Sequence, residues 1–232
     1  MKKVAVLQTN YLPWKGYFDL INDVDLFVLY NEVQYTKNDW RNRNKVYSHQ
    51  GLSWFSVPVE YSLGQTILET RIKTTLPWQV DHWNKIKNAY QKSPFWNDYK
   101  DFFYDVYFKK QWFFLAELNN YLIKSIAKDF LNISTEFADS RDFDSEGKNA
   151  EKLLSLLLSI GATDYVSGPA AKNYLPEEQF RKAGISVIWK NYSSYPQYCQ
   201  LNEKFEHGVS ILDVLFNCGK DAPFYIWGWR NS

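Results

Sequence analysis

The chain has 232 residues, with 27 Lys and Arg against 26 Asp and Glu, a net charge of +1. That balance excludes the global cationic field that drives non-specific binding to nucleic acid or to an anionic membrane, so any basic site must be local. Two cysteines, Cys199 and Cys218, and three scattered histidines exclude a disulfide scaffold and a cysteine-type structural zinc, and no metal site is expected.

The opening MKKVAVLQTN begins basic, but its apolar run stops at Leu7, too short for a signal peptide or a membrane span. No later window has the uninterrupted apolar length needed to cross a bilayer, so a soluble, cytoplasmic protein without a transmembrane segment is expected. Lys2 to Gln8 is a β-branched apolar run ending in polar residues, the pattern of a buried parallel strand feeding a loop. The loop TNYLPWKG carries Pro13 and Gly16, and YFDLINDV then places Phe18, Leu20, Ile21 and Val24 on one helical face. DLFVLY, Asp25 to Tyr30, reads as the second strand, completing a strand, loop, helix, strand opening in which ligands collect at the strands' carboxyl ends.

SWFSVPVEY and TILETRIK read as two further strands, joined by SLGQ as a hairpin with Gly64 at its tip. From Pro77 to Asn132 apolar residues recur at spacings of three and four, which predicts a helical insert at about 77–132, broken near Pro94. STEFADSRDF reads as strand and loop. DSEGKNAEKLLSLLLSIGA has an Asp or Ser start, a leucine face and Gly161 where a C-terminal cap belongs. TDYVSG is then a strand, PAAKNY a loop, LPEEQFRKAG a helix with Pro176 in its first turn, and ISVIWKNY a strand. The expectation is a single α/β domain over 1–232, a Rossmann-like, mostly parallel sheet with a helical insert.

Three loops at predicted strand ends could then build one pocket. The first offers Gln8, Asn10, Tyr11, Trp14, Lys15 and Tyr17, whose aromatics core packing would equally explain. The second, NEVQYTKNDWRNRN, offers Lys37, Arg41 and Arg43 with Asn42 and Asn44, donors for phosphate or carboxylate, and Trp40 as a stacking face. A solvated charge cluster would look similar, except that it has no need of Trp40. The third, with Gly168, Lys172 and Asn173, is a weak phosphate signal, since both the Walker and the dinucleotide patterns are absent and Pro169 removes a donor. No nucleophile elbow is present, and Cys218 reads as an inert buried thiol. His207 is a candidate base, with Asp39 and Glu32 as equal alternatives. Nothing in the sequence requires a cofactor.

Taken together, LQTNYLPWKGYF, DLFVLYNEVQYTKNDWRNRN, SWFSVPV, YVSGPAAKNYL and LDVLFNCG resemble the signature blocks of the WbqC-like family, found among bacterial O-antigen and surface-polysaccharide biosynthesis proteins. Two departures stand out: Thr9 follows Gln8 where the family usually has proline, and the segment before YSSYPQY lacks a histidine and a proline associated with it. The opening also resembles, more distantly, HUP-type nucleotidyltransferases. Trp14 and Tyr17 stand where those enzymes carry a pair of phosphate-stabilising histidines, which weakens adenylyl transfer through this loop.

The resemblance implies an enzyme acting on a nucleotide-linked or lipid-linked sugar, with acyl or aminoacyl transfer to an amino sugar as the reaction. The alternative is a non-catalytic sugar-nucleotide-binding or scaffold protein of the same pathway. A nucleotide-sugar or other small molecule is the expected partner, and nucleic acid is not. Most of the 19% aromatic residues must serve the core and, in a homodimer, an interface.

Overall fold

The computed structural model describes residues 1–231. Five short strands, β1 (Lys3–Leu7), β2 (Leu26–Leu29), β5 (Glu136–Asp139), β6 (Asp164–Ser167) and β7 (Ser186–Trp189), form one parallel sheet in the order β5-β2-β1-β6-β7. The sheet is a Rossmann-like α/β arrangement. Val4, Ala5 and Val6 of β1 and all four residues of β2 are buried, as strands covered on both faces require.

The chain builds outward from β1 through β2 to β5, then returns to the other side of β1 for β6 and β7. The direction of winding therefore reverses between β1 and β6, the place where ligands collect in open α/β sheets. The paired register there is short, Lys3 with Asp164 and Val4 with Tyr165, against four pairs between β1 and β2.

Helix α1 (Lys15–Asn22) follows β1 directly and buries Phe18, Leu20 and Ile21. Between β2 and β5 in the chain lie α2 (Trp78–Tyr90), α3 (Trp96–Phe108) and α4 (Leu115–Ser125), the last continuing into a π-helical turn at Ile126–Phe130. The break near Pro94 is present: α2 ends at Tyr90 and α3 begins at Trp96. Helices α5 (Ala150–Ile160) and α6 (Glu177–Lys182) alternate with β6 and β7, and α5 ends on Gly161 in the left-handed conformation. After β7 the segment 190–210 is irregular, and α7 (Leu212–Cys218) and α8 (Ala222–Ile226) close the chain. Among the described residues no helix is long and apolar enough to cross a membrane.

The hairpin differs from the expected one. Its strands are β3 (Arg43–Ser48) and β4 (Gly51–Ser56), paired antiparallel, so Arg43 and Asn44 belong to a strand and not to the loop that precedes it. Pro58 lacks the N–H a ladder needs, and β4 ends before it. TILETRIK is not a strand beyond isolated bridges at Thr66, Arg71 and Ile72. Its side chains bind its own backbone instead: Glu69 accepts from the Thr66 N–H and hydroxyl, and the Thr70 hydroxyl donates to the Thr66 carbonyl. Such local bonds compete with a ladder despite the strand-forming composition. Helix α5 also starts later than the Asp and Ser signals suggested, with Asn149 as its N-cap at φ 51°.

Candidate functional site

A crevice of about 220 Å³ opens beside the loop that leaves β1, lined by Asn10, Pro13, Trp14, Trp40, Asn44 and Gly208. Three stretches of sequence meet there, and each is held by polar anchors. Asn44 alternates inward on β3, is buried, and donates from its amide to the carbonyls of Tyr11 and Leu12. The Ser210 hydroxyl donates to the same Leu12 carbonyl, and the Ile211 N–H to Pro13. These bonds fix Leu12 at φ 43°, a conformation a leucine adopts only when its surroundings over-determine it. Gly16 lets the Trp14 ring fold back over the first turn of α1, since a Cβ there would lie 2.3 Å from the indole. The ring then meets Tyr192 edge-on at 5.2 Å.

Arg41 lies at the edge of this crevice. Its guanidinium donates to the side-chain oxygens of Asn10 and of Gln8, while the Asp39 carboxylate stands 3.7 Å away. Neutral amides thus orient a half-buried cation without discharging it. Burial lowers the affinity of Arg41 for its proton, and Asp39, Tyr17 and Tyr174 act in the other direction. Tyr174 is where the loop after β6 reaches toward the site. The carboxyl of Asp39 is raised by burial, but the Thr36 hydroxyl, Arg41 and the Trp40 N–H more than reverse this, holding it below the usual carboxylate range.

The other sequence candidates are placed as follows. Trp14, Trp40 and Asn44 line the crevice, and Gln8 and Arg41 reach its Asn10 side. Asn42 donates to the Val57 carbonyl and holds the end of β4. Arg43 turns back to the Asn38 carbonyl and covers the Trp54 ring at 4.5 Å. Tyr11 is fully buried beneath the loop, its hydroxyl 2.9 Å from His82 Nδ1 and 2.5 Å from the Tyr107 hydroxyl. Tyr17 is buried and donates to the Gln8 carbonyl. Lys37 lies over the Tyr61 ring at 3.8 Å, and Lys172 over Trp189 at 5.6 Å, so neither cation joins Arg41. Asn173 is exposed. Glu32 accepts from Ser140 and faces Lys152 at 3.7 Å, on the β5 side of the sheet. His207 precedes the crevice residue Gly208; its Nδ1 is buried without a hydrogen-bond partner among the described residues, and its ring packs on Phe205 at 4.5 Å. Burial, and then the charge of Lys15, lower its pKa, which keeps the imidazole neutral near pH 7.

The model of the WbqC-like protein family matches residues 8–225, almost the whole chain and every segment that builds the crevice. The chain belongs to the WbqC-like protein family. Membership suggests a role in polysaccharide-related biosynthesis. The uncharacterized protein Rv1507c of Mycobacterium tuberculosis (strain ATCC 25618 / H37Rv) is 43% identical over 228 residues, covering 97% of this chain and 98% of that protein. No solved structure matches.

This WbqC-like chain also assembles a polar cluster behind the crevice that sequence reasoning did not anticipate. Lys15, in the first turn of α1, is 3% exposed, and its Nζ has no hydrogen-bond partner among the described residues. Three rings surround it, Tyr195 at 4.9 Å, Tyr198 at 5.2 Å and Phe205 at 5.6 Å, all from the irregular segment after β7. Burial lowers its pKa to about 8, against the opposing pull of Cys218, Asp213 and Asp19. Asp213, on α7, accepts from Tyr198 at 2.7 Å and Gln200 at 2.6 Å, and burial raises it to about 6 in spite of those bonds. Burial pushes the Cys218 thiol up to about 12, the behaviour of an unreactive sulfur. No motif flags this cluster, whose members are nearly two hundred residues apart.

Proposed function

We propose that this WbqC-like protein is a transferase of surface-polysaccharide assembly that binds a nucleotide-linked or lipid-linked sugar in the crevice at the end of β1. The observation that carries the reading is Arg41, a half-buried guanidinium oriented by the neutral side chains of Gln8 and Asn10 beside two tryptophans. Its charge is left to meet a phosphate or carboxylate, and Trp14 and Trp40 offer faces for a sugar or base.

Acyl or aminoacyl transfer to an amino sugar is the reaction we assign. The sugar's amine attacks the carbonyl carbon of an activated acyl ester; the new C–N bond forms as the bond from that carbon to the leaving group breaks. The proton lost by the amine passes to the base. Of the three candidates His207 suits that role best: it adjoins the crevice, is neutral near pH 7 and has a free nitrogen. Asp39 is engaged by Thr36, Trp40 and Arg41, and Glu32 stands beside Lys152 near β5.

A panel of nucleotide-sugars should raise the melting temperature of the wild type, and Arg41→Ala should abolish that shift. An unaltered shift in the variant, or none with any member of the panel, removes the site assignment. The second reading, a sugar-nucleotide-binding or scaffold protein without catalysis, draws support from the commitment of Asp39 and Glu32 to protein partners. Mass spectrometry separates the two: an acylated sugar made by wild type and lost in His207→Gln supports the transferase, and binding without product supports the scaffold.

A further inference from the structure

A second hollow, of about 360 Å³, lies between β4 and α2, within the size range of small-molecule sites. Its lining includes Trp54 and Ser56 from one face of β4 and Trp78, Asp81, His82 and Lys85 from α2. Side chains two apart on a strand point the same way, so Trp54 and Ser56 share the outer face of the hairpin. The Lys85 Nζ donates to the Trp54 carbonyl at 2.8 Å and pins the helix against the strand.

Two features of this hollow are unusual for plain surface. Trp54 stacks on Trp40, ring centroids 5.4 Å apart and planes inclined by 29°, yet the two indoles are 42% and 43% exposed. Trp78 shows the opposite: it is 3% exposed, and its indole N–H has no hydrogen-bond partner among the described residues. A buried donor left unmade is costly and calls for a ligand or an ordered water.

The chemistry of the walls selects the occupant. His82 is neutral: burial lowers its pKa to about 3, although it donates to the Ser56 carbonyl, and Nδ1 is the acceptor left for the Tyr11 hydroxyl. The Asp81 carboxylate and the Lys85 ammonium leave the walls without net charge and offer hydroxyls an acceptor and a donor, and the Ser56 hydroxyl both donates and accepts. An indole face beside a carboxylate balanced by an ammonium, a hydroxyl and a neutral ring suits an uncharged molecule with one apolar face and a rim of hydroxyls. Trp40 lines the first crevice and Trp54 this hollow, so the stacked pair is a partition shared by both.

We propose that the hollow between β4 and α2 is a second saccharide subsite, which takes an uncharged pyranose ring of an acceptor glycan against Trp54, one partition away from the first crevice. The word acceptor rests on the transferase reading; the binding of a pyranose does not.

The test is indole N–H chemical shifts in nitrogen-15 NMR spectra during titration with the methyl pyranosides of glucose, galactose, rhamnose and N-acetylglucosamine, with no nucleotide present. Signals are assigned with Trp54→Phe and Trp78→Phe. The expected result is movement of the Trp54 and Trp78 signals with at least one glycoside, binding weakened about tenfold or more in Trp54→Ala, and a comparable loss in Asp81→Asn. Both substituted residues are exposed, and unchanged spectra elsewhere check that each variant folds. Signals that stay still for all four glycosides would overturn the proposal, as would movement confined to Trp14 and Trp40, which places the sugar in the first crevice alone. Arg41→Ala should leave this titration unchanged. Loss of the nucleotide-sugar shift therefore fails separately from loss of pyranoside binding.

Discussion

Helix α1 buries two charges one turn apart and treats them in opposite ways. Asp19 is fully buried, and three side chains meet it with four donor atoms: Lys190 at 2.8 Å, both Arg230 guanidinium nitrogens at 2.8 and 2.7 Å, and the Tyr195 hydroxyl at 2.5 Å. Lys15 is almost as buried, but its ammonium has ring faces around it and no hydrogen-bond partner among the described residues. Burying a charge costs several kcal/mol unless it is paired, so Asp19 is compensated and Lys15 is not. The compensated charge fastens the end of β7 and residue 230 to α1. The uncompensated one lies behind the crevice, where a departure from good packing chemistry marks function more than architecture. Arg41 stands between the two extremes, oriented but not neutralised.

Three experiments sharpen this contrast. Asp19→Ala should be the most damaging, because it removes the buried carboxylate that meets Arg230 and Tyr195 and leaves Lys190 with Asp23 alone; a loss of about 3–5 kcal/mol is expected in urea unfolding. A loss below about 1 kcal/mol would make the network a surface-like one. Lys15→Met should act in the other direction, stabilising the protein at pH 7 by on the order of 1–3 kcal/mol. The pH dependence gives the sign. Lys15 titrates near 8 when folded against a reference of 10.5, so between those values the unfolded chain binds more protons and stability rises with pH. Below about 8 the folded protein carries the full cost, and above 10.5 it carries none. The gap between variant and wild type should therefore close across that window, and a constant gap would refute the assignment. Arg41→Ala should change stability least, by about 1 kcal/mol or less, since neutral amides are its principal partners. Its effect belongs in ligand binding, and a large loss of stability without ligand would make Arg41 a strut.

How far each part could be read beforehand follows from how local its cause is. The strands β1, β2, β6 and β7 are short runs of β-branched or aromatic residues bounded by polar loops, and each was legible on its own. Gly161 marked the end of α5 because no other residue enters the left-handed region so cheaply. The β3 strand was hidden, since RNKVYS shows one aliphatic residue, and its alternation is visible only once Asn44 is known to face inward. TILETRIK misled for the converse reason, carrying strand composition but spending its hydroxyls and carboxylate on a turn. Within the candidate site, Trp14, Trp40, Arg41 and Asn44 could be singled out because they sit at strand ends. Lys37 and Lys172 share that position in sequence but turn away to Tyr61 and Trp189, an outcome decided by neighbouring rings and not by spacing. Lys15, Asp213 and the rings from the segment after β7 meet only through the tertiary fold.

The Asn44 amide has a further consequence. One NH₂ group serves two main-chain oxygens, at 3.2 and 2.7 Å, in a place closed to water. The shape of the cleft floor thus hangs on the polarity of a single atom. Exchanging that nitrogen for oxygen, as in Asn44→Asp, keeps the side chain's size while turning two attractions into two repulsions. The backbone of Tyr11 and Leu12 would have to move away, carrying the Trp14 wall with it.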